Sequence, residues 1–513
     1  MSITYGSGAI ASPAEGSGAI SALADAIADA LARPEERPAA PRGGLERRRL
    51  SALPVAAQAV SVVAPSPGMM AATATVTAMG AAAVPVIGLA TLAMTLVGLV
   101  VAQFARRIAA AGSLYTYVSK GLGPAAGFLT GCALIVAYGS LVVMCLLGSG
   151  RRAVAFLGEA GLLPALSGDG VPLLVTAVLG TAMTAIVVRG VRVSAALTLL
   201  LEACSVAAVL TVLALTAYRG GPAITPSTLD VGVFAAALLT GIRALVGFES
   251  GCALSVEARK PFAVVPRVVL WTPAACGALF ALAGVLHLVG STRGDPAAAG
   301  PALPFLPALV QLGLASSLFA CAMASMNAVV RVLFSMGRER VTPRALGRTH
   351  ARYRTPHVAA YAMMPLAVGA PLALWAVGTP TRQVSAWLGL LAVLAFLVAY
   401  LLVCLAAAPF LRHIGEDTAG TSAVAALAAA TTAAALVLVV RAGLNDGMGA
   451  LVAVLAAVLA LGLLWLLRVR RRAPHRMRAI GFFDAATPDD ILPGSTPDGL
   501  ASPASPRGPG GPP

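Results

Sequence analysis

The residues best equipped for chemistry in this chain sit where an ionisable group is least at home. The stretch Gly241-Ile242-Arg243-Ala244-Leu245-Val246-Gly247-Phe248-Glu249-Ser250-Gly251 lies inside an apolar run from about Val231 to Val256, long enough to cross a bilayer. A charged side chain near the middle of such a run costs at least ~2.5–3.5 kcal/mol on insertion scales, so it demands a partner, a water-filled cavity or a function. Glycines at the same depth weaken a helix by about 1 kcal/mol each and let another backbone come close. The segment therefore reads as a broken helix lining a binding site. A second carboxyl, Glu202, lies in the neighbouring apolar stretch Leu199–Ser205. Its two readings are a structural partner for an arginine such as Arg243, or a group that takes up and releases a proton.

Composition identifies the scaffold that must hold these residues. The chain has 513 residues, of which 58% are hydrophobic and 11% charged. A soluble protein would carry roughly a quarter charged residues, so this is a polytopic membrane protein. Apolar spans follow one another at about 53–79, 81–105, 124–149, 171–190, 193–217, 231–256, 267–290, 305–335, 357–378, 383–408, 421–441 and 447–467. They predict an all-α bundle of about twelve transmembrane helices. The net charge of +15 is spread in short clusters between these spans, which argues against nucleic-acid binding and for membrane topology. With the N-terminus inside, the inner loops hold most of the arginines, from Arg106 and Arg107 to the run Arg338–Arg354. The outer side keeps only Arg151, Arg152, Arg219, Arg293, Arg382 and Arg441. Both termini are thus expected in the cytoplasm of a cell bounded by this membrane. Residues 1–50 and 468–513, rich in Gly, Pro, Ser and Arg, are expected to be disordered tails.

The seven cysteines fall inside apolar segments without metal-ligand spacing, and the histidines do not cluster, so no metal or cofactor is implied. Walker, Gly-x-Ser-x-Gly and His-Glu-x-x-His signatures are absent, which argues against an enzyme and leaves an ion gradient as an energy source.

The first span carries a second interruption, Ala64-Pro65-Ser66-Pro67-Gly68-Met69. Two prolines within three residues remove two amide donors and disfavour helix before them, which predicts an unwound turn. The other broken span is the sixth, five helices later. Five is odd, so the second set of helices must run upside down relative to the first. Paired breaks in inverted halves are the sequence mark of a midplane site where half-helix N-termini face an anion and unwound carbonyls hold a cation. A small molecule with both a carboxylate and an ammonium suits it.

Three stretches carry a family resemblance. Ala105-Arg106-Arg107 through Ala111-Gly112-Ser113-Leu114-Tyr115-Thr116-Tyr117-Val118, with Gly121-Leu122-Gly123-Pro124, is one. Gly247-Phe248-Glu249-Ser250, with Glu257-Ala258-Arg259-Lys260-Pro261, is the second. Leu318-Phe319-Ala320, Met326-Asn327-Ala328, Arg331, Gly337-Arg338 and Thr355-Pro356 form the third. Together they resemble the amino acid–polyamine–organocation permeases over about residues 53–410. The resemblance implies a LeuT-like fold with an inverted repeat of helices 1–5 (51–217) and 6–10 (231–408), followed by two further helices (421–467). It also implies alternating access, with the substrate at the breaks in helices 1 and 6. Carried over, Ser66, Gly68 and Met69 would face the substrate carboxylate, and Ala244, Leu245 and Val246 the ammonium, with Gly247, Phe248 and Glu249 completing the site. Glu202 stands where some relatives carry a lysine that takes part in proton coupling, so the resemblance implies a proton as coupling ion with Glu202 as the titrating group, beside its reading as a structural partner of an arginine. Arg243 stands where the family has an aromatic lid. Its readings are a pair with Glu249 or Glu202, or contact with a second acidic group on the substrate. The expected activity is uptake or exchange of amino acids. The alternatives are a polyamine or organic-cation transporter and a non-transporting amino-acid sensor.

Overall fold

The computed structural model describes residues 45–162, 170–220, 231–292 and 305–481, together with Ile224. In a bilayer the backbone finds no partner but itself, so long apolar runs become helices. Eleven helical segments are long and apolar enough to cross, and the first, Ala52–Ala105, has 54 residues. At 1.5 Å per residue that is roughly 80 Å, more than twice a bilayer's ~30 Å core, so it makes two crossings. The chain turns between them at Gly80, where φ is +60°. Among the described residues the crossings therefore number twelve.

The first crossing consists of α1 (Ala52–Val63) and α2 (Pro65–Met79), and the second is α3 (Ala83–Ala105). A short helix, α4 (Leu114–Leu122), leads into α5 (Pro124–Glu159), α6 (Gly170–Arg189) and α7 (Val191–Arg219). Then come α8 (Val231–Leu245), α9 (Pro261–Thr292) and α10 (Leu306–Arg338). The ninth crossing is α11 (His357–Met364) and α12 (Ala370–Ala376), joined by a π turn at Pro365–Gly369 that accommodates the missing amide of the proline. α13 (Thr381–His413), α14 (Ala419–Asn445), α15 (Gly449–Arg472) and the short α16 (Pro474–Ala479) complete the order.

Helix α5 packs against both α10 and α13 at the centre of the bundle. The most apolar windows of α5 and α13 are 72% buried, against 11% for α15, so α15 lies at the rim. Rim side chains such as Leu461, Leu464, Val437, Leu427 and Leu200 are exposed. A belt of large apolar groups on that scale belongs in hydrocarbon rather than water.

Two terminal stretches differ from the expected tails. Residues 1–44 and 482–513 lie outside the described residues, but residues 45–50 are pinned. The amides of Arg49 and Leu50 both donate to the Glu257 carbonyl at 2.8 Å, and the Arg259 amide returns to the Leu50 carbonyl at 2.9 Å. At the other end α15 stays helical to Arg472, and the Gly481 amide donates to Glu339 Oε1 at 2.8 Å. Local composition suggested disorder at both places; hydrogen bonds to segments more than a hundred residues away hold them instead.

The break in the first crossing also differs in position. It is one residue long, Ala64, with φ +53° and ψ +75°. Pro65 and Pro67 lie in the first turn of α2, where a proline's missing amide has no helical partner to lose. The prolines start the second half-helix rather than unwinding a turn of their own.

Candidate functional site

The sixth crossing breaks at Val246-Gly247. Helix α8 stops at Leu245, and the chain resumes as a tight 3-10 helix over Phe248–Leu254. Gly247 has φ +89°, and a Cβ added there would lie 2.2 Å from Val62 Cγ1. The glycine thus serves both the turn and the close approach of the two breaks. Further bonds tie the broken crossings together and to the core. Ser250 Oγ donates to the Gln58 carbonyl at 3.2 Å, and Gln58 Nε2 donates to the Ala324 carbonyl on α10 at 2.7 Å.

Where the breaks meet there is a cavity of about 390 Å³. Its walls include Val62, Val63, Ala64, Pro67 and Gly68 from the first break and Thr240, Arg243, Ala244 and Val246 from the sixth. Leu141, Met144 and Cys145 of α5 and Leu318 and Cys321 of α10 close it. Arg243 is the one charged residue lining it, among the described residues. Two helices, α1 and α8, end here, and each presents the partial negative charge of its unpaired carbonyls. Cys321 Sγ caps one of these carbonyls, Val62 O, at 3.2 Å and accepts the Cys145 thiol at 3.3 Å.

The positive end of α2 is weak in donors. Pro65 and Pro67 have none, and the Gly68 amide is taken by the Ala64 carbonyl at 3.2 Å. Ser66 keeps the remaining amide of the first turn, but it is fully buried and does not line the cavity, so α2 offers an anion its dipole rather than a free donor. The Arg243 guanidinium adds a full positive charge in the same cavity. Arg243 makes neither of the internal pairs considered for it. Both oxygens of Glu249 accept phenol hydroxyls, Tyr138 at 2.6 Å and Tyr400, whose oxygen in turn accepts the Gly247 amide at 2.7 Å. Both oxygens of Glu202 accept from Ser317 Oγ, at 3.1 and 2.9 Å. The carboxylate whose field reaches Arg243 is the exposed Asp446.

The residues singled out from sequence thus divide into two groups. Gly68, Arg243, Ala244 and Val246 line the cavity. Ser66, Met69, Leu245, Gly247, Phe248 and Glu249 are buried and do not line it. Ser205 Oγ donates to the Gly313 carbonyl at 2.7 Å, which leaves Ser66 Oγ to donate to Ser205. Glu202 lies one turn before Ser205 on α7. Tyr138 and Tyr400 were not among the expected site residues. Their signal, a hydroxyl in an otherwise apolar span, is visible in the sequence, but their common partner Glu249 is not.

The C-terminal end of the sixth crossing is held by a buried ion pair. Arg331 Nη2 lies 2.9 Å from Glu257 Oε2, and Arg331 Nε donates to the same oxygen at 3.2 Å. Burial raises the Glu257 carboxyl above the ordinary glutamate value, and the Arg331 guanidinium opposes that shift.

Comparison with known proteins agrees with this architecture. The family model of the amino acid permeases matches residues 58–466, most of the chain and all but the outermost turns of the bundle. The chain belongs to the amino acid permease family. The chain is 29% identical over 301 residues to an uncharacterized transporter of Mycobacterium tuberculosis, covering 55% of this chain and 62% of that one. It is 24% identical over 305 residues to the branched-chain amino acid permease BcaP of Bacillus subtilis, covering 53% and 63%. It is 25% identical over 316 residues to the low-affinity putrescine importer PlaP of Escherichia coli, covering 57% and 66%. These matches span just under two thirds of each relative's length. The family is one of transporters, and the twelve crossings with discontinuities in the first and sixth agree with its LeuT-like, multi-pass membrane fold.

Proposed function

We propose that this transporter is a secondary active, proton-coupled permease for amino acids, working by alternating access at the two breaks. One observation carries the reading. The cavity pairs a guanidinium with two convergent helix C-termini and includes no carboxylate among its described lining residues. An amino acid's carboxylate is met by Arg243 and the positive end of α2; its ammonium is met by carbonyls at the ends of α1 and α8. A polyamine of the kind named for the Escherichia coli relative has only cations to offer, and Arg243 repels them.

Glu202 is the coupling carboxyl in this proposal. It is buried, accepts from Ser317 and has no cationic partner among the described residues. It stands one turn before Ser205, whose hydroxyl meets that of Ser66 beside the first break. We further assign 51–217 and 231–408 as the two inverted repeats. We also propose that both termini lie in the cytoplasm, a reading the positive-inside bias supports, and that the protein resides in the cell membrane.

The test is a substrate panel in proteoliposomes, with and without an inward proton gradient. Gradient-dependent accumulation of an amino acid is the expected result. Failure to move any amino acid while the protein remains folded ends this reading, and movement of polyamines alone replaces it.

A further inference from the structure

Arginines on the outer face run against the topology of the chain, because the positive-inside bias concentrates them on the other side. Three of the few outer ones, Arg151, Arg152 and Arg382, line a single cavity of about 670 Å³. The first two come from the outer end of α5, and the third from the first turn of α13. Arg151 Nη1 donates to Thr381 Oγ1 at 3.4 Å and Arg152 Nη1 to Gln311 Oε1 at 3.0 Å. No carboxylate lines this cavity among the described residues; the nearby Glu159 is engaged by Gln311 Nε2 at 2.9 Å.

The outer cavity adjoins the substrate cavity. Met144 and Leu318 line both. The Arg243 guanidinium reaches that junction. A Cβ on Gly389 would sit 3.2 Å from Met144 Sδ and 3.4 Å from Arg243 Nη2, so the thioether and the guanidinium lie over the same glycine. Three arginines therefore line the outer cavity and a fourth, Arg243, the substrate cavity beside it. A cleft of a single sign concentrates ligands of the opposite sign and raises their rate of arrival. A neutral amino acid gains little from such a cleft, because its two charges cancel at a distance. Inside the cavity there are likewise two elements that favour an anion, Arg243 and the positive end of α2 at Pro67 and Gly68, where one α-carboxylate needs a single one.

We propose that the substrate is an amino acid carrying a second acidic group, net negative at neutral pH. Its α-carboxylate faces the start of α2, its ammonium the ends of α1 and α8, and its second acid group Arg243. Arg151, Arg152 and Arg382 act before binding, by drawing the anion into the outer cavity. The inference rests on the permease reading above for the ammonium contacts, and its test separates the two.

Binding to the purified full-length protein in detergent, read as thermal stabilisation, needs no transport. Aspartate and glutamate are expected to stabilise at concentrations at least ~10-fold below leucine, with putrescine inactive. A charge-assisted pair is worth about a factor of ten or more in affinity. Arg243→Gln should remove that preference, and Arg243→Lys should retain part of it. In proteoliposomes, Arg151→Gln with Arg382→Gln should lower kcat/KM for the acidic substrate by about tenfold at low ionic strength, a gap that closes as salt rises. Binding of leucine but not of aspartate or glutamate overturns this inference and leaves the permease reading intact. Binding of putrescine in preference to any amino acid overturns both. A preference for acidic amino acids that survives Arg243→Gln overturns the role given to that residue and with it the proposal.

Discussion

Replacing Gly247 with alanine tests the geometry on which the cavity depends. Two costs follow from separate features of this residue. Its φ of +89° is foreign to an L-residue with a Cβ, at about 1–2 kcal/mol. The added methyl would also lie 2.2 Å from Val62 Cγ1, far inside ordinary contact, and overpacking of a tight core costs about 1–3 kcal/mol. Gly247→Ala should therefore destabilise the protein by roughly 2–5 kcal/mol in total. The two parts can be separated. Val62→Ala removes the offending methyl, and alone it should cost ~1.5 kcal/mol for two buried carbons. The double variant should then be more stable than the sum of the singles by ~1–3 kcal/mol, because the clash is gone while the backbone cost remains. Reversible unfolding in mixed micelles measures all four corners of the cycle. Additive singles would show that the two breaks do not touch as described. A Gly247→Ala protein as stable as the wild type would refute the positive φ as well.

Three further outcomes follow from other parts of the molecule. Glu202→Gln should fold normally yet lose gradient-driven accumulation, which for one coupled proton amounts to about tenfold per pH unit; undiminished accumulation would return Glu202 to a structural role. Glu257→Gln leaves the buried Arg331 guanidinium without its carboxylate and should cost ~3–5 kcal/mol, whereas Glu257→Leu with Arg331→Met should recover most of it, and a double variant no better than the single would count against the pair. In the loop before α14, a hydrogen bond from Ser422 and then the Arg412 guanidinium hold the Asp417 carboxyl below the ordinary aspartate range. A folded value below the unfolded one means a contribution complete above the unfolded value and lost as pH falls through the folded one. Asp417→Asn should therefore lower the melting temperature at neutral pH and leave it unchanged in strong acid, and a gap that persists in acid would exclude that linkage.

The sequence by itself determined the class of the protein and the count of its crossings, because hydrocarbon leaves an apolar run of some twenty residues no alternative to a helix. It also determined that the first and sixth crossings break, since proline and glycine act on the backbone within a few residues of where they stand. Even there, tertiary packing chose the point of rupture. Ala64 takes the left-handed turn and the prolines are spared, because a proline is at ease in the first turn of a helix. Other matters were settled only by the packed bundle. Glu249 meets Tyr138 and Tyr400, which lie 111 and 151 residues away, and Glu202 meets Ser317, 115 residues away. Those pairings leave Arg243 to the cavity, an outcome no local pattern contains. The same holds for Arg151, Arg152 and Arg382, scattered over the chain and gathered at one mouth. Periodicity and propensity act over one or two turns, whereas a buried polar group takes whichever partner the helix packing brings within 3 Å. The broken helix was therefore legible residue by residue; what its arginine is for was decided by the neighbours that did not pair with it.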